Sequence, residues 1–318
     1  MQVLFFKPYF QEKIWGGTAL KDEFGYNIPS DHTGECWAIS AHPHGESIVE
    51  NGSLKGMKLS EVWSKHPELF GNSKQPVFPL LTKILDASDD LSVQVHPNDE
   101  YGMKHEGELG KTECWYVIDA KPGSKIVYGH KAKTKDEFKK LVDEGKWNEL
   151  LTEIEVKPGD FFFVPSGTIH GIGKGILILE TQQSSDTTYR VYDYDRTDDR
   201  GNTRELHIED SLNVATIPAK SPVQDIQEIK YKNSVVTILA KTPFFDVYKW
   251  DVDGELDLTA TAPYTLVSII DGSGILNINN EEYNVSKGQH FIIPDGINNW
   301  TLSGKLTAIA STPGKDNK

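Results

Sequence analysis

Three side chains in the run Leu91-Ser-Val-Gln-Val-His-Pro97 have types and spacing that could do chemistry together. In an extended strand alternate side chains share a face, so Ser92, Gln94 and His96 point one way and Leu91, Val93 and Val95 the other. A polar row backed by an apolar row fits the lining of a polar cavity. The alternative is the solvent-facing half of an ordinary antiparallel strand. The next strand-like run, Thr112-Glu-Cys-Trp-Tyr-Val-Ile118, carries Glu113, and His170 follows the turn Pro165-Ser-Gly167. Two imidazoles and a carboxylate, with the Gln94 amide beside His96, make a nitrogen-and-oxygen ligand set that leaves room for a substrate. Such a set suits Zn2+, and also Mn2+, Fe2+ or Co2+.

A second histidine cluster competes with the first. His42-Pro43-His44-Gly45-Glu46 has the look of a compact metal motif, but Pro43 and Gly45 argue for a loop or strand end rather than a rigid strand. Basic residues near the candidate strands are sparse. Lys83 sits in the apolar run Phe78-Pro-Leu-Leu-Thr-Lys-Ile-Leu85, where a buried ammonium requires a partner, and Glu35 and Glu180 are the candidates. Lys111 precedes the Glu113 strand, and Arg190 follows Glu180. Arg190 could instead be a salt-bridge partner of Asp186 or Asp193. The charged run from Tyr192 to Arg200 reads as a solvated, salt-bridged loop.

These residues need strands to hold them, and strand signals dominate from about residue 80 onward. LSVQVHP, ECWYVIDA, SKIVYGH, DFFFVP and GILILETQQ are short, rich in Val, Ile, Phe, Tyr and Trp, and separated by Gly, Pro, Asp and Asn. Even spacing of such runs predicts a β-sandwich or barrel. Helical signals are local. Thr134 and Glu137 form a capping box before FKKLVDEG, with Gly145 as the stop. Ser60 begins a weaker candidate that Pro67 interrupts, and residues 205–217 read as a connecting helix. Pro218, Ser221 and Pro222 then mark a boundary near 220–235. The expected units are 1–235, a catalytic unit with helical segments, and 236–318, a smaller unit without metal. An internal echo supports two related units. VKPGDFFFVPSGTIH (156–170) and VSKGQHFIIPDGINN (285–299) align without a gap, matching Gly159 with Gly288, Pro165 with Pro294 and Gly167 with Gly296. His170 meets Asn299, so the second copy lacks the metal-ligating side chain.

Composition narrows the classes. The chain has 318 residues, 37% hydrophobic and 25% charged, enough for a packed core. A net charge of −14 disfavours a general nucleic-acid or anionic-membrane surface and requires a local basic pocket for any anionic substrate. Cys36 and Cys114 are too few for a disulfide framework or a Cys-based zinc site. No apolar run approaches the roughly 18 residues that span a bilayer. The start, MQVLFFKPYFQEKIWGG, lacks the order of a signal peptide. A cytoplasmic protein, monomeric or weakly homo-oligomeric, is the expectation.

In order along the chain, Ser92-x-Gln94-x-His96-Pro97, Gly110-Lys-Thr-Glu113, Pro165-Ser-Gly-Thr-Ile-His170, Glu180 and Arg190 resemble the type I phosphomannose isomerases. They are most similar to the short bacterial class A members. Ile14-Trp-Gly-Gly17, Gly34-Glu-Cys-Trp37 and His42-Pro43 agree, and the resemblance covers essentially the whole chain. It implies a mainly β fold of two cupin-like jelly-roll barrels with a few helices, the first barrel catalytic. It also implies one zinc ion per chain and interconversion of mannose 6-phosphate and fructose 6-phosphate. Carried over by motif, the zinc ligands are His96, Glu113 and His170, with Gln94 as the fourth. Ser92 and Lys111 fall where the family contacts substrate, its phosphate in particular. Glu35, Lys83 and Glu180 fall on cavity-lining positions and Arg190 on the active-site arginine. The chain departs from longer relatives at Ser185-Asp-Thr-Thr-Tyr-Arg190, where they carry Ser-Asp-Asn-x-x-Arg, and it has no room for their large helical insertion.

Aldose–ketose isomerisation moves a proton between C1 and C2 through a cis-enediol. A zinc ion with an open position acts as a Lewis acid on the two oxygens, and Arg190 adds a permanent cation. Glu180, Lys83, a histidine and metal-bound water are all able to carry the proton. The competing readings are a cupin glucose-6-phosphate isomerase with Fe2+, a non-catalytic sugar-phosphate-binding cupin and a cupin dioxygenase.

Overall fold

The strand Leu80–Ala87 is buried along its whole length, because both of its faces pack against other layers. Lys83 and Leu85 line a cavity on one face, whereas Leu80 and Ile84 join a core cluster on the other. That two-sided burial explains why LLTKILDA and ILILETQQ read as continuous apolar runs interrupted by single charges. The computed structural model describes residues 2–198, 200–222 and 224–317.

The chain is mainly β, and among the described residues the ladders are antiparallel. One sheet has six strands in the order Phe161–Val164, Glu113–Ala120, Ile176–Gln183, Leu80–Ala87, Thr33–Ile39 and Tyr9–Gly17. It faces a five-stranded sheet ordered Leu151–Glu155, Lys125–His130, His170–Ile172, Val93–Val95 and Tyr189–Tyr192. Trp15, Leu85, Trp115, Ile126, Ile172 and Ile178 fill one end of the space between them. The cavity occupies the rest.

The other face of the six-stranded sheet packs on a nine-stranded sheet built mostly from the C-terminal third. Cys36, Ile84, Tyr116 and Leu179 share a core cluster there with Phe245, Val247, Leu266 and Ile309. The chain's N-terminal strand, Leu4–Lys7, also pairs into this sheet, with Phe5 opposite Phe291. Strand Gln227–Tyr231 forms its free end against Ser234–Lys241.

The internal echo is conformational as well as sequential. Gly159 and Gly288 have φ of 93° and 89°, and Gly167 and Gly296 have 85° and 84°, a region that L side chains rarely adopt. Strands Phe161–Val164 and His290–Ile293 follow equivalent turns. The helices are short. Thr134 caps Lys135–Asp143 by accepting from the Glu137 amide, while the Glu137 carboxylate reaches back to the Lys133 amide. The weaker helix begins at Leu59, one residue before the expected start, and the Ser60 hydroxyl donates to Glu46 instead of capping. Pro67 opens a separate 3-10 turn, Pro67–Phe70. The connecting helix is confined to Ile208–Val214.

Candidate metal centre and active site

His96 lies just past the strand Val93–Val95, His170 opens His170–Ile172 and Glu113 opens Glu113–Ala120. Pairing of His170 with Gln94, and of Arg190 with Gln94 on the other side, brings these segments into one layer. The opposing sheet supplies Glu113. Its Oε2 lies 3.4 Å from His96 Nε2 and its Oε1 lies 3.3 Å from His170 Nε2. The Gln94 amide nitrogen is 3.5 Å from each imidazole Nε2, and an amide can turn either its oxygen or its nitrogen to that point. All three side chains His96, Glu113 and His170 are buried, and together they form a group that could hold a metal ion.

The imidazoles are held in one tautomer. His96 Nδ1 donates to the Thr187 carbonyl at 2.9 Å and His170 Nδ1 to the Thr168 carbonyl at 2.8 Å. A carbonyl only accepts, so each Nδ1 carries the proton and each Nε2 turns its lone pair inward. Burial, reinforced by the Lys111 charge, lowers the His96 pKa to about 3, and burial lowers that of His170 as well. Both rings are neutral at pH 7. Burial opposes ionisation of Glu113, yet its carboxyl is held well below the usual range, and with both rings neutral the charge that favours the carboxylate is the Lys111 ammonium, whose Nζ is 3.8 Å away. Glu113 Oε2 is buried without a hydrogen-bond partner. Lone pairs converging on one point, with an orphaned carboxylate oxygen among them, fit a cation such as Zn2+.

The ring opens on a cavity of about 270 Å³ that Ser92, Lys111, Glu180 and Arg190 also line. Deep in its wall, Lys83 Nζ is 3.4 Å from Glu35 and 4.4 Å from the centre of the Trp37 ring. Burial disfavours the Lys83 charge, but Glu35, Glu180 and Asp186 outweigh it and raise the pKa. Burial likewise opposes Glu35, and Lys83 and Lys13 overcome it to hold Glu35 down at about 2. Glu35 is thus the ion-pair partner of Lys83. Glu180 faces Lys83 across the ladder but accepts from the Trp115 indole at 3.0 Å. Burial and the neighbouring Glu113 charge push Glu180 up to about 8. The Ser92 hydroxyl donates to Gln94 at 3.3 Å.

Arg190 donates from its NH1 to the Glu205 carbonyl at 2.8 Å, and its Nε is buried without a partner. Neither of the two carboxylates expected as its partner pairs with it. Asp186 pairs with His44 and Lys83, and Asp193 is held by Arg196 and Arg204. The run from Tyr192 to Arg200 is therefore more than a solvated loop. Asp193 is buried, and the Arg204 fork upon it, at 2.6 and 2.7 Å, places Arg204 in the cavity wall. Asp199 of that run lies outside the described residues. Arg204 and Glu108 had no signal in the spacing of motifs. Glu108 accepts from Ser185 Oγ, the Asp186 amide and Thr187 Oγ1 at 2.9–3.1 Å, fixing the loop whose carbonyl orients His96.

The competing cluster does not converge. His42 pairs with Glu108 at 3.2 Å, His44 with Asp186 at 3.0 Å, and Glu46 with Lys58 at 3.2 Å. In the C-terminal copy of the internal echo, Asn299 is exposed and accepts from Thr259, and both nitrogens of His290 are engaged, by Tyr26 at 2.7 Å and Ser268 at 2.9 Å.

Comparison with known proteins places these features in context. Residues 3–122 match the family described as phosphomannose isomerase type I, catalytic domain, and residues 235–313 match the mannose-6-phosphate isomerase cupin domain. The chain is 56% identical to the mannose-6-phosphate isomerase of Streptococcus mutans, covering 97% of each. It is 52% identical to a mannose-6-phosphate isomerase of Bacillus subtilis, over 97% of this chain and 98% of the other. The crystal structure of the mannose 6-phosphate isomerase from Bacillus subtilis superposes with a TM-score of 0.96 at 48% identity, covering 98% and 100% of the two chains.

Proposed function

The chain belongs to the type I phosphomannose isomerases and is an isomerase, and we propose that it interconverts mannose 6-phosphate and fructose 6-phosphate through a cis-enediol with one zinc ion per chain. The observation that carries this reading is the buried group of His96, Glu113 and His170, with the half-buried Gln94 beside it, opening on a cavity that holds an arginine with no carboxylate partner among the described residues.

When bound, zinc supplies Lewis acidity to the C1 and C2 oxygens. The chain's own residues do the rest. Ser92 and Lys111 contact the substrate, and the cations Lys111, Arg190 and Arg204 offset its phosphate charge inside a protein of net charge −14. Arg190 stabilises negative charge developing on the enediolate in a site partly shielded from water. Glu180, whose protonated form burial favours, and Lys83, held charged by Glu35, are the two cavity groups that exchange a proton between C1 and C2 in this reading. Glu35 keeps Lys83 oriented. A cytoplasmic location is consistent with two buried, unpaired cysteines, and among the described residues no helix is long and apolar enough to cross a membrane.

The test is a coupled assay for fructose 6-phosphate formed from mannose 6-phosphate, with and without chelator, and with glucose 6-phosphate as competing substrate. Chelator-sensitive turnover of mannose 6-phosphate is the expected result. Full activity in protein stripped of metal would overturn the metal role, and preference for glucose 6-phosphate would overturn the substrate.

A further inference from the structure

The strand Gln227–Tyr231 forms one end of the nine-stranded sheet and, among the described residues, pairs only with Ser234–Lys241. All five of its residues are exposed. Three large apolar side chains stand in water within six residues: Ile226 at 46%, Ile229 at 43% and Tyr231 at 43%. A free edge of this kind offers unpaired N–H and C=O groups to another strand.

The geometry of the edge selects its partner. Tyr231 faces Ser234 across a two-residue turn, and such a turn closes on a hydrogen-bonded pair. Alternation along the antiparallel ladder then directs the backbone groups of Tyr231, Ile229 and Gln227 inward and those of Glu228 and Lys230 outward. The two residues with free backbone groups also share one side-chain face and carry opposite charges. Neither makes an ion pair among the described residues, and the side chains opposite them within the sheet are Thr237 and Val235.

We propose that two copies of the chain associate by antiparallel pairing of their Gln227–Tyr231 edges about a two-fold axis at Ile229. In that register Glu228 of each copy lies opposite Lys230 of the other. Both are hydrogen-bonding positions, and Ile229 meets its own counterpart at the closer, non-hydrogen-bonded spacing. Shifting the axis to Glu228 would oppose two glutamates, and shifting it to Lys230 would oppose two lysines. Shifts that put the axis between residues would set outward-facing backbone groups against inward-facing ones. The charge pattern thus favours one register and penalises its neighbours. The contact is small, so the dimer is weak and concentration-dependent. Long-range repulsion between two chains of net charge −14 is screened over about 8 Å at physiological ionic strength, which leaves the local pairs intact.

Sedimentation of the full chain tests this. Wild type at about 100 µM and physiological salt should contain a species of twice 35.6 kDa. Glu228→Lys alone sets lysines against lysine, and Lys230→Glu alone sets glutamates against glutamate. Each should weaken association about tenfold or more, with isomerase activity and melting temperature unchanged. An equal mixture of the two single variants restores every opposite-charge pair and should recover dimer, as should the double exchange. A monomeric wild type, or single variants that associate like wild type, would overturn the proposal. So would a mixture that associates no better than its components, since that places any dimer contact elsewhere.

Discussion

Glu113 and Glu180 share one hydrogen-bond donor: the Trp115 indole N–H lies 3.1 Å from the first carboxylate and 3.0 Å from the second. Two buried acids joined in this way ionise far apart. Glu113 is held as the carboxylate, and its charge, together with burial, keeps Glu180 protonated up to about 8. One acid can hold a cation while the other keeps a proton available, a division of roles set by environment alone.

Glu180→Gln should separate those roles. The amide keeps the shape and the neutral state of the protonated acid but has no acidic proton to exchange. We expect kcat to fall by about 10²–10⁴-fold, the usual contribution of a positioned acid or base, with metal content unchanged. Turnover near wild type would remove Glu180 from proton transfer and leave Lys83.

His96→Ala and His170→Ala should each reduce zinc well below one per chain by elemental analysis and abolish turnover. Each removes an inward lone pair and leaves Glu113 buried with one fewer partner. His42→Ala should keep its zinc, because His42 faces Glu108 rather than the ring. Retention of zinc in both ligand variants and its loss in His42→Ala would reverse the assignment.

Arg190→Ala should lower kcat by about 10²–10³-fold, the magnitude for one preorganised donor, with zinc content and melting temperature near wild type. Lys in its place should rescue little, because a point charge does not reproduce the planar fork. Lys111→Ala should instead raise KM for mannose 6-phosphate more than it changes zinc content. A stability loss at normal kcat would make Arg190 structural.

His290 gives the fold a pH dependence of its own. Burial lowers its pKa to about 3, against about 6.5 in an unfolded chain. The unfolded state therefore binds the proton first as pH drops. Stability is intact above 6.5, declines as pH falls through the window between 6.5 and about 3, and loses about 2 kcal/mol from this group between pH 7 and 5. His290→Gln, which keeps a polar group near Tyr26 and Ser268, should flatten that part of the slope in urea unfolding. An identical slope in the variant would show that His290 does not titrate with folding.

Much of the site was legible because strand geometry is local. A period of two places Ser92, Gln94 and His96 on one face whatever the strand later meets, and a Gly turn followed by Pro-x-Gly recurs at 159–167 and 288–296 because both segments need positive φ at the same points. Ligand chemistry is equally local: an imidazole or a carboxylate is a donor set wherever it sits. The tertiary structure alone decided which lone pair each histidine offers, since the carbonyls of Thr187 and Thr168 impose the tautomer and the first lies 91 residues from His96. It alone set the ionisation of Glu180, which depends on Glu113 from a neighbouring strand, and the placement of Arg204, which depends on a buried Asp193. It also recruited Leu4–Lys7 to the sheet that holds His290. Burial and electrostatic coupling act through space, and register between strands far apart in sequence is fixed by packing, so neither is written in the spacing of residues along the chain.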